Sequence, residues 1–445
     1  MRTTSLLSLA CGALAAPALA QDWPHWRGPN YDGSTEARGL PTEFDREQGL
    51  RWSAELPGPG ASTPVVQGDH VYLTSVDGEK LVALCFDRGS GSLAWTHEAG
   101  SGYRPGGAGS TTQLHGRSNY ASPSPVTDGQ RVVFFFGNGD LVCTTTDGER
   151  AWARNLQEDH GDFCFQWTFS ASPTLHGGRL FVQVLQRDEP VGGRGEAGAE
   201  SFLLAIDPDT GETLYRHVRP SSARKESLES YATPIPFVGD GREELLVVGG
   251  DVITGHDPAS GAELWRWGTW NEGNREEWWR LVPSPVVGAG VTLACGPKGS
   301  DVVAVQLGGE GELEDDRVAW RKQGRGNPVT TDVPTPLFYE GSFYVLSDLR
   351  SNLSKLAADS GEVEWTVELP RDYKWRASPT GADGKVWIMD HHGDVLVLDA
   401  GDGSVVGRAS MGRADDDGIR SSISVAHGAL FIRVNDRLFC VGNRG

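Results

Sequence analysis

The sequence has little cysteine and no cysteine pair. Six cysteines occur in 445 residues, none beside another and none in a Cys-x-x-Cys spacing. A disulfide framework, a c-type haem attachment and a zinc site therefore find no support. Cys85, Cys143, Cys295 and Cys440 sit in apolar, strand-like runs, where an unpaired thiol behaves as a small hydrophobe. Positive charge is also scarce. Lys and Arg number 40 against 60 Asp and Glu, a formal net charge of −20. Such a surface repels phosphate backbones, so no nucleic acid partner is expected. No run after residue 20 is long and apolar enough for a transmembrane segment. Helical periodicity is hard to find there, and no Ser/His/Asp or zincin motif appears. The stretch VGGRGEAGAES (residues 191–201) lacks the Lys-Ser/Thr and the helix of a phosphate loop and reads as a flexible insertion.

The first 20 residues differ from the rest. They hold one basic residue, an apolar run and a small-x-small end at Ala18-Leu19-Ala20. This pattern predicts a secretory signal over 1–20, cleaved after Ala20, and a mature chain of 21–445 forming a single domain. A periplasmic or secreted location follows. SLAC, ending at Cys11, is the alternative of a lipoprotein box. The residue three before the Cys is Ser, and a better cleavage site follows. Cleavage would remove only Arg2 among the charges, taking the net charge from −20 to −21.

What the chain has in plenty is turns and repeats. Glycine occurs 59 times. An Asp-x-x-x-Gly turn followed by an aromatic recurs at Asp87/Gly91 with Trp95, Asp207/Gly211 with Tyr215 and Asp257/Gly261 with Trp265. Asp399/Gly403 repeats the turn, ADSGEVEW carries Trp365, and a clipped copy carries Trp152. The Asp side chain can accept from turn N–H groups, and Gly can take positive φ. A second signature, Ser or Thr then Pro, a polar turn and an apolar run, has its Pro at 64, 125, 173, 234, 285, 336 and 379. An eighth copy has Ile423 in place of the Pro. Repeats of this size made of short strands predict a radial array of small sheets.

Each unit reads as four antiparallel strands, with the Ser/Thr-Pro segment innermost. The last unit lacks a fourth strand, and DREQGLRWSAEL (residues 45–56) has an orphan Asp45/Gly49/Trp52 unit that supplies one. The expectation is an all-β, eight-bladed β-propeller, closed by the N-terminal strand pairing with the C-terminal blade. Seven blades is the alternative, if the fifth unit is miscounted. In that unit residues 306–317 replace the turn and read as a solvent loop.

The repeated turn resembles that of the PQQ-like (pyrroloquinoline quinone) β-propellers, a quinoprotein-like fold, and the resemblance runs from about Gln21 to the end. The opening DWPHWRGPNYDG (residues 22–33) is similar to secreted, BamB-like members. The resemblance implies that the aromatic of each fourth strand docks between blades. Asp87, Gly91, Trp95, Trp152, Asp207, Gly211, Asp257, Gly261, Trp265, Trp365, Asp399 and Gly403 are then architectural. It implies two kinds of function. One is a non-catalytic binding or scaffold protein of the cell envelope, needing no cofactor. The other is a dehydrogenase of alcohols or sugars using PQQ and Ca2+. The adjacent Cys pair of many such dehydrogenases is missing, as is any cytochrome segment, so the first is preferred and no catalytic residue is assigned.

The loops before each Ser/Thr-Pro segment should converge on the mouth of the channel. They are rich in Arg, Trp and Tyr, the residue types of binding hot spots. Tyr120, Trp167, Tyr231, Arg280, Asp332, Arg376 and Arg420 are the candidate binding face for a protein or envelope component, and a monomer is expected. MDHHGD (residues 389–394) should reach the same face. Neighbouring strand residues point oppositely, so His391 and His392 are not expected to share a metal.

Overall fold

The computed structural model describes residues 22–102, 118–239, 241–268, 270–324 and 326–442. The expected signal, its cleavage site and Cys11 lie outside the described residues, as does the start of the loop before Tyr120. Eight sheets of four antiparallel strands stand around a central channel. Blades 1 to 8 span 65–101, 126–155, 174–218, 235–268, 286–322, 337–368, 380–410 and 424–441. The eighth sheet takes its outer strand, Leu50–Glu55, from the other end of the chain, antiparallel to Arg437–Val441. One short α-helix, Leu156–His160, is the only α-helix among the described residues.

The inner strands explain the Ser/Thr-Pro signature. Proline has no N–H to give to a ladder, and the residue before it is held extended. That residue's own N–H points sideways to the next blade, where a hydroxyl accepts it. Thr63 N–H donates to Ser124 Oγ, Ser124 to Ser172, Ser172 to Thr233 and Thr233 to Ser284. Ser284 donates to Thr335, Thr335 to Ser378, Ser378 to Ser422, and Ser422 back to Thr63. All eight bonds measure 2.9–3.1 Å, and they form a closed ring. Eight donors and eight acceptors close only with eight blades.

An outer belt comes from the repeated turn. Oδ1 of Asp87, Asp207, Asp257 and Asp399 accepts turn N–H groups two or three residues on. The fourth-strand aromatic of one blade then lies on the turn glycine of the next and donates to a carbonyl of that turn. Trp52 reaches Arg88 O, Trp95 Thr146 O, Trp152 Pro208 O, Tyr215 Pro258 O, Trp320 Ala358 O and Trp365 Gly401 O, at 2.8–3.1 Å. At Gly361, with φ +67°, an added Cβ would stand 2.5 Å from the Trp320 ring. Only glycine permits this approach.

Two junctions depart from this rule. Trp265 is fully buried in the cluster shared by blades 4 and 5, with Ala294, Val303 and Val305 of blade 5, but its indole meets no turn of that blade and donates instead to Glu244 Oε2 at 2.6 Å. Blade 5 has no Asp-Gly turn to receive it. The 306–317 segment that replaces the turn is also not merely a solvent loop. Gly311–Glu312 adds a fifth, parallel strand to blade 4 against Trp265 and Arg266, and Leu313 N–H donates to Arg266 O. Between blades 7 and 8, Gly407 stands where an aromatic would be, and the Thr42 carbonyl fills the space. The glycine-rich 191–201 stretch forms turns, with Val191 and Arg194 exchanging backbone hydrogen bonds.

The 22–35 segment crosses one end of the channel. Trp23 pairs with Val66, and the Pro24 carbonyl accepts from Thr127 N–H. Tyr31 Oη donates to Leu175 O, the Asp32 carbonyl accepts from Phe338 N–H, and Thr35 N–H donates to Gly381 O. Each of these partners lies three residues beyond a hydroxyl of the inner ring. Arg27 is fully buried beneath them, its guanidinium donating to Pro336 O and Pro379 O at 2.7 and 3.1 Å. The channel therefore has a floor on this side.

Candidate functional site

Above the floor is a chamber of about 370 Å³. All eight ring hydroxyl residues line it, with Trp26 on the floor side. Trp167, Tyr231, Arg280, Asp332, Arg376 and Arg420 line it from the expected mouth loops. Tyr120 does not. Its side chain is buried in the core between blades 1 and 2, with Val65, Phe134 and Phe136. Ser118 and Asn119 take the lining positions instead, and the chain turns at Tyr120.

Charges in the wall are held in pairs. Arg280 meets Asp332 through two parallel bonds of 2.8 Å, the geometry a guanidinium and a carboxylate favour. Burial opposes both charges, yet the pairing prevails. Arg280 is held above and Asp332 below its ordinary pKa. Arg376 Nε lies 3.0 Å from Asp348 Oδ2, whose other oxygen accepts from Asp332 N–H. Lys298 Nζ lies 3.3 Å from Glu226 Oε2, and Trp167 Nε1 donates to Glu226 Oε1 at 3.0 Å. Behind the wall, the fully buried Glu229 pairs with Arg187 and accepts from Tyr231 Oη. Burial pushes the Glu229 carboxyl up to about 7, against the pull of Arg187.

A second cavity of about 620 Å³ adjoins the first and shares Asn119, Arg376 and Arg420 with it. His391 lines it, so MDHHGD does reach this face. Burial, then Arg420 and Arg376, lower His391 to about 4, which keeps it neutral. His392 turns away and stacks on Tyr373 at 4.6 Å. Among the described residues no three His, Cys, Asp or Glu side chains gather as a metal-ligand set. The described cysteines, Cys85, Cys143, Cys164, Cys295 and Cys440, are buried and separate.

Sequence reasoning missed the chamber's most regular feature. The hydroxyls before each Pro were visible as a repeated pattern, but their lateral partners lie 43 to 61 residues away, and 359 at the closure. The signal was the constancy of Ser or Thr at all eight positions, including Ser422, where the Pro is lost.

Comparison with solved structures shows the same fold at low identity. BamB from Moraxella catarrhalis is 13% identical, covering 88% of this chain and 99% of that chain, with a TM-score of 0.59. The quinohemoprotein alcohol dehydrogenase of Comamonas testosteroni is also 13% identical, covering 96% and 82%, with a TM-score of 0.66. A europium-containing methanol dehydrogenase is 10% identical, covering 94% and 90%, with a TM-score of 0.65. Comparison with curated protein sequences finds no match. A family model described as outer membrane protein assembly factor BamB matches residues 34–182, 121–313 and 248–445. These matches together run through all eight blades, and the chain belongs to this BamB-type family of PQQ-repeat propellers.

Proposed function

We propose that the protein is a non-catalytic, exported binding propeller of the cell envelope, whose mouth seats a protein or another envelope component. The observation that carries this reading is the pairing of the acids in and behind the chamber wall. Asp332, Asp348 and Glu226 are each bound to Arg280, Arg376 or Lys298. A carboxylate held in this way is a poor general base and a poor ligand for Ca2+. The donor set therefore does not fit PQQ with Ca2+. The mouth instead offers what binding surfaces use: paired Arg, a half-exposed Trp278 and the Trp167 and Tyr231 rings. Arg187 and Lys225 both stand over the Trp278 ring, at 5.6 and 5.4 Å, which braces it for contact. Export rests on the sequence pattern of residues 1–20. No helix among the described residues is long and apolar enough to cross a membrane.

Affinity capture from an envelope extract tests the reading, comparing wild type with the Arg280→Ala/Arg376→Ala variant. The proposal expects proteins or envelope components recovered with wild type and lost with the variant. Equal recovery by both would remove the mouth as the binding face. Mixing the protein with PQQ and Ca2+, followed by absorbance and dye-linked oxidation of alcohols and sugars, should give neither stoichiometric binding nor turnover. Binding with turnover would overturn the non-catalytic reading. N-terminal sequencing of protein from the native host should begin at Gln21.

A further inference from the structure

The inner ring has a second consequence, chemical rather than architectural. Each of its eight hydroxyl oxygens accepts a neighbour's N–H, and none donates to another described residue. A hydroxyl carries one proton to donate. With the oxygens tied to the wall, the outlet for these O–H groups is the lumen. All eight residues are more than nine-tenths buried and line the chamber.

Two further donors face the same space without a protein partner. Trp26 Nε1 is buried and unbonded on the floor. Thr168 lines the wall with its hydroxyl buried and unbonded. Thr168 also has φ +78°, a conformation that costs a β-branched residue about 1–3 kcal/mol and collects at functional sites. Other buried donors also lack a partner, among them the Trp23, Trp267 and Trp387 indoles, but these two open onto the chamber, where a ligand can meet them. The lining charges point the same way. Four cations, Arg280, Lys298, Arg376 and Arg420, stand against Glu226 and Asp332, with Asp348 buried behind Arg376. This slight positive balance sits inside a chain of net charge −20.

We infer that the chamber is a binding site for a small oxyanion of the carboxylate or phosphate class, held by the hydroxyl ring, Thr168 and Trp26 beneath the arginine rim. The site lies below the mouth and shares its rim arginines with it. The hydroxyls and the indole N–H give an oxyanion hydrogen bonds. The rim arginines supply attraction without surrendering their own partners.

Calorimetry on the mature chain at fixed ionic strength tests this, with malonate and inorganic phosphate as probes and glycerol as the neutral control. Saturable one-to-one binding of malonate or phosphate is expected, and none of glycerol. Trp26→Phe and Thr168→Val each remove one donor that bonds nothing in the protein. Each should weaken binding about ten- to a hundred-fold, as for a hydrogen bond to a charged group. Neither should lower the melting temperature of the unliganded protein, because no internal hydrogen bond is lost. That combination separates a ligand contact from a structural one. Failure of both anions to saturate, or unchanged affinity in both variants, would overturn the proposal.

Discussion

The blades are joined by two belts that follow different rules. The inner belt is polar and complete, with a hydroxyl receiving an N–H at all eight junctions. The outer belt is aromatic, and it is present at six junctions, missing between blades 4 and 5 and between blades 7 and 8. The reason lies in the two kinds of interaction. A buried N–H must find an acceptor with defined geometry, and leaving it unpaired costs about 1–3 kcal/mol. Aromatic burial is non-directional, so another segment can take its place. At one gap Gly311–Glu312 and Leu313 do so. At the other, Thr42 and the buried Phe44 do. The uniform belt is also the one that lines the chamber, and the variable belt faces away from it.

The largest test of this comparison removes the segment that serves both the floor and the outer strand of blade 8. Deleting residues 22–56 strips Arg437–Val441 of its neighbour and opens the channel floor. An unpaired strand edge templates aggregation. Loss of soluble, monodisperse protein by size-exclusion chromatography is expected, and a monodisperse, folded deletion variant would contradict it.

Next comes a single outer clasp. Trp320 is 8% exposed and lies on Gly361. Trp320→Ala should cost about 3–5 kcal/mol in denaturant unfolding. Gly361→Ala should also destabilise, through the clash and the positive φ. In the Trp320→Ala background only the backbone cost remains, about 1–2 kcal/mol. The double-mutant cycle should therefore show strong coupling. Additive losses would mean that the ring and the glycine do not form a clasp.

The inner belt should respond more mildly per residue but alike at each position. Ser284→Ala leaves the Thr233 N–H without its acceptor. A loss of about 1–3 kcal/mol is expected. Ser378→Ala, at a junction where the outer clasp is present, should cost about the same. A much smaller loss at either would show that the ring is not needed at every junction.

These expectations also mark what the sequence could and could not reveal. The blade count and the outer turns were legible because their partners are local. Asp207 caps residues two and three ahead, and such spacing is read directly from the chain. The hydrogen-bond partner of Trp265 was not legible, because it depends on the next blade, which lacks the receiving turn. The place of Tyr120 was not legible because the chain turns there, and one residue separates the lumen from the core between blades 1 and 2. The ion pairs of the wall, such as Arg280 with Asp332, join residues of different blades and leave no local pattern.

The smallest expected effect concerns pH at the irregular junction between blades 4 and 5. Asp251 is buried, bonded to Asn271, and its carboxyl is raised to about 7 by burial. A raised carboxyl pKa means that the folded state holds its proton more tightly than the unfolded chain does. Stability from this group is therefore full below about pH 4 and falls as pH rises through about 7. Asp251→Asn should flatten the thermal stability profile over this window and leave the variant the more stable of the two at pH 8. An unchanged profile would assign the slope to other groups.

The central claim is that binding occurs at the mouth above the uniform belt, not along the outer edges of the blades. Two exposed apolar residues report on these two regions. Trp278 at the mouth is 50% exposed and Leu214 on an outer strand is 48% exposed, so access does not bias the comparison. A photo-crosslinking residue placed at each position in turn, in the native host, measures contact directly. Discrete adducts from position 278 and none from 214 are predicted. Adducts from 214 with none from 278 would contradict the account.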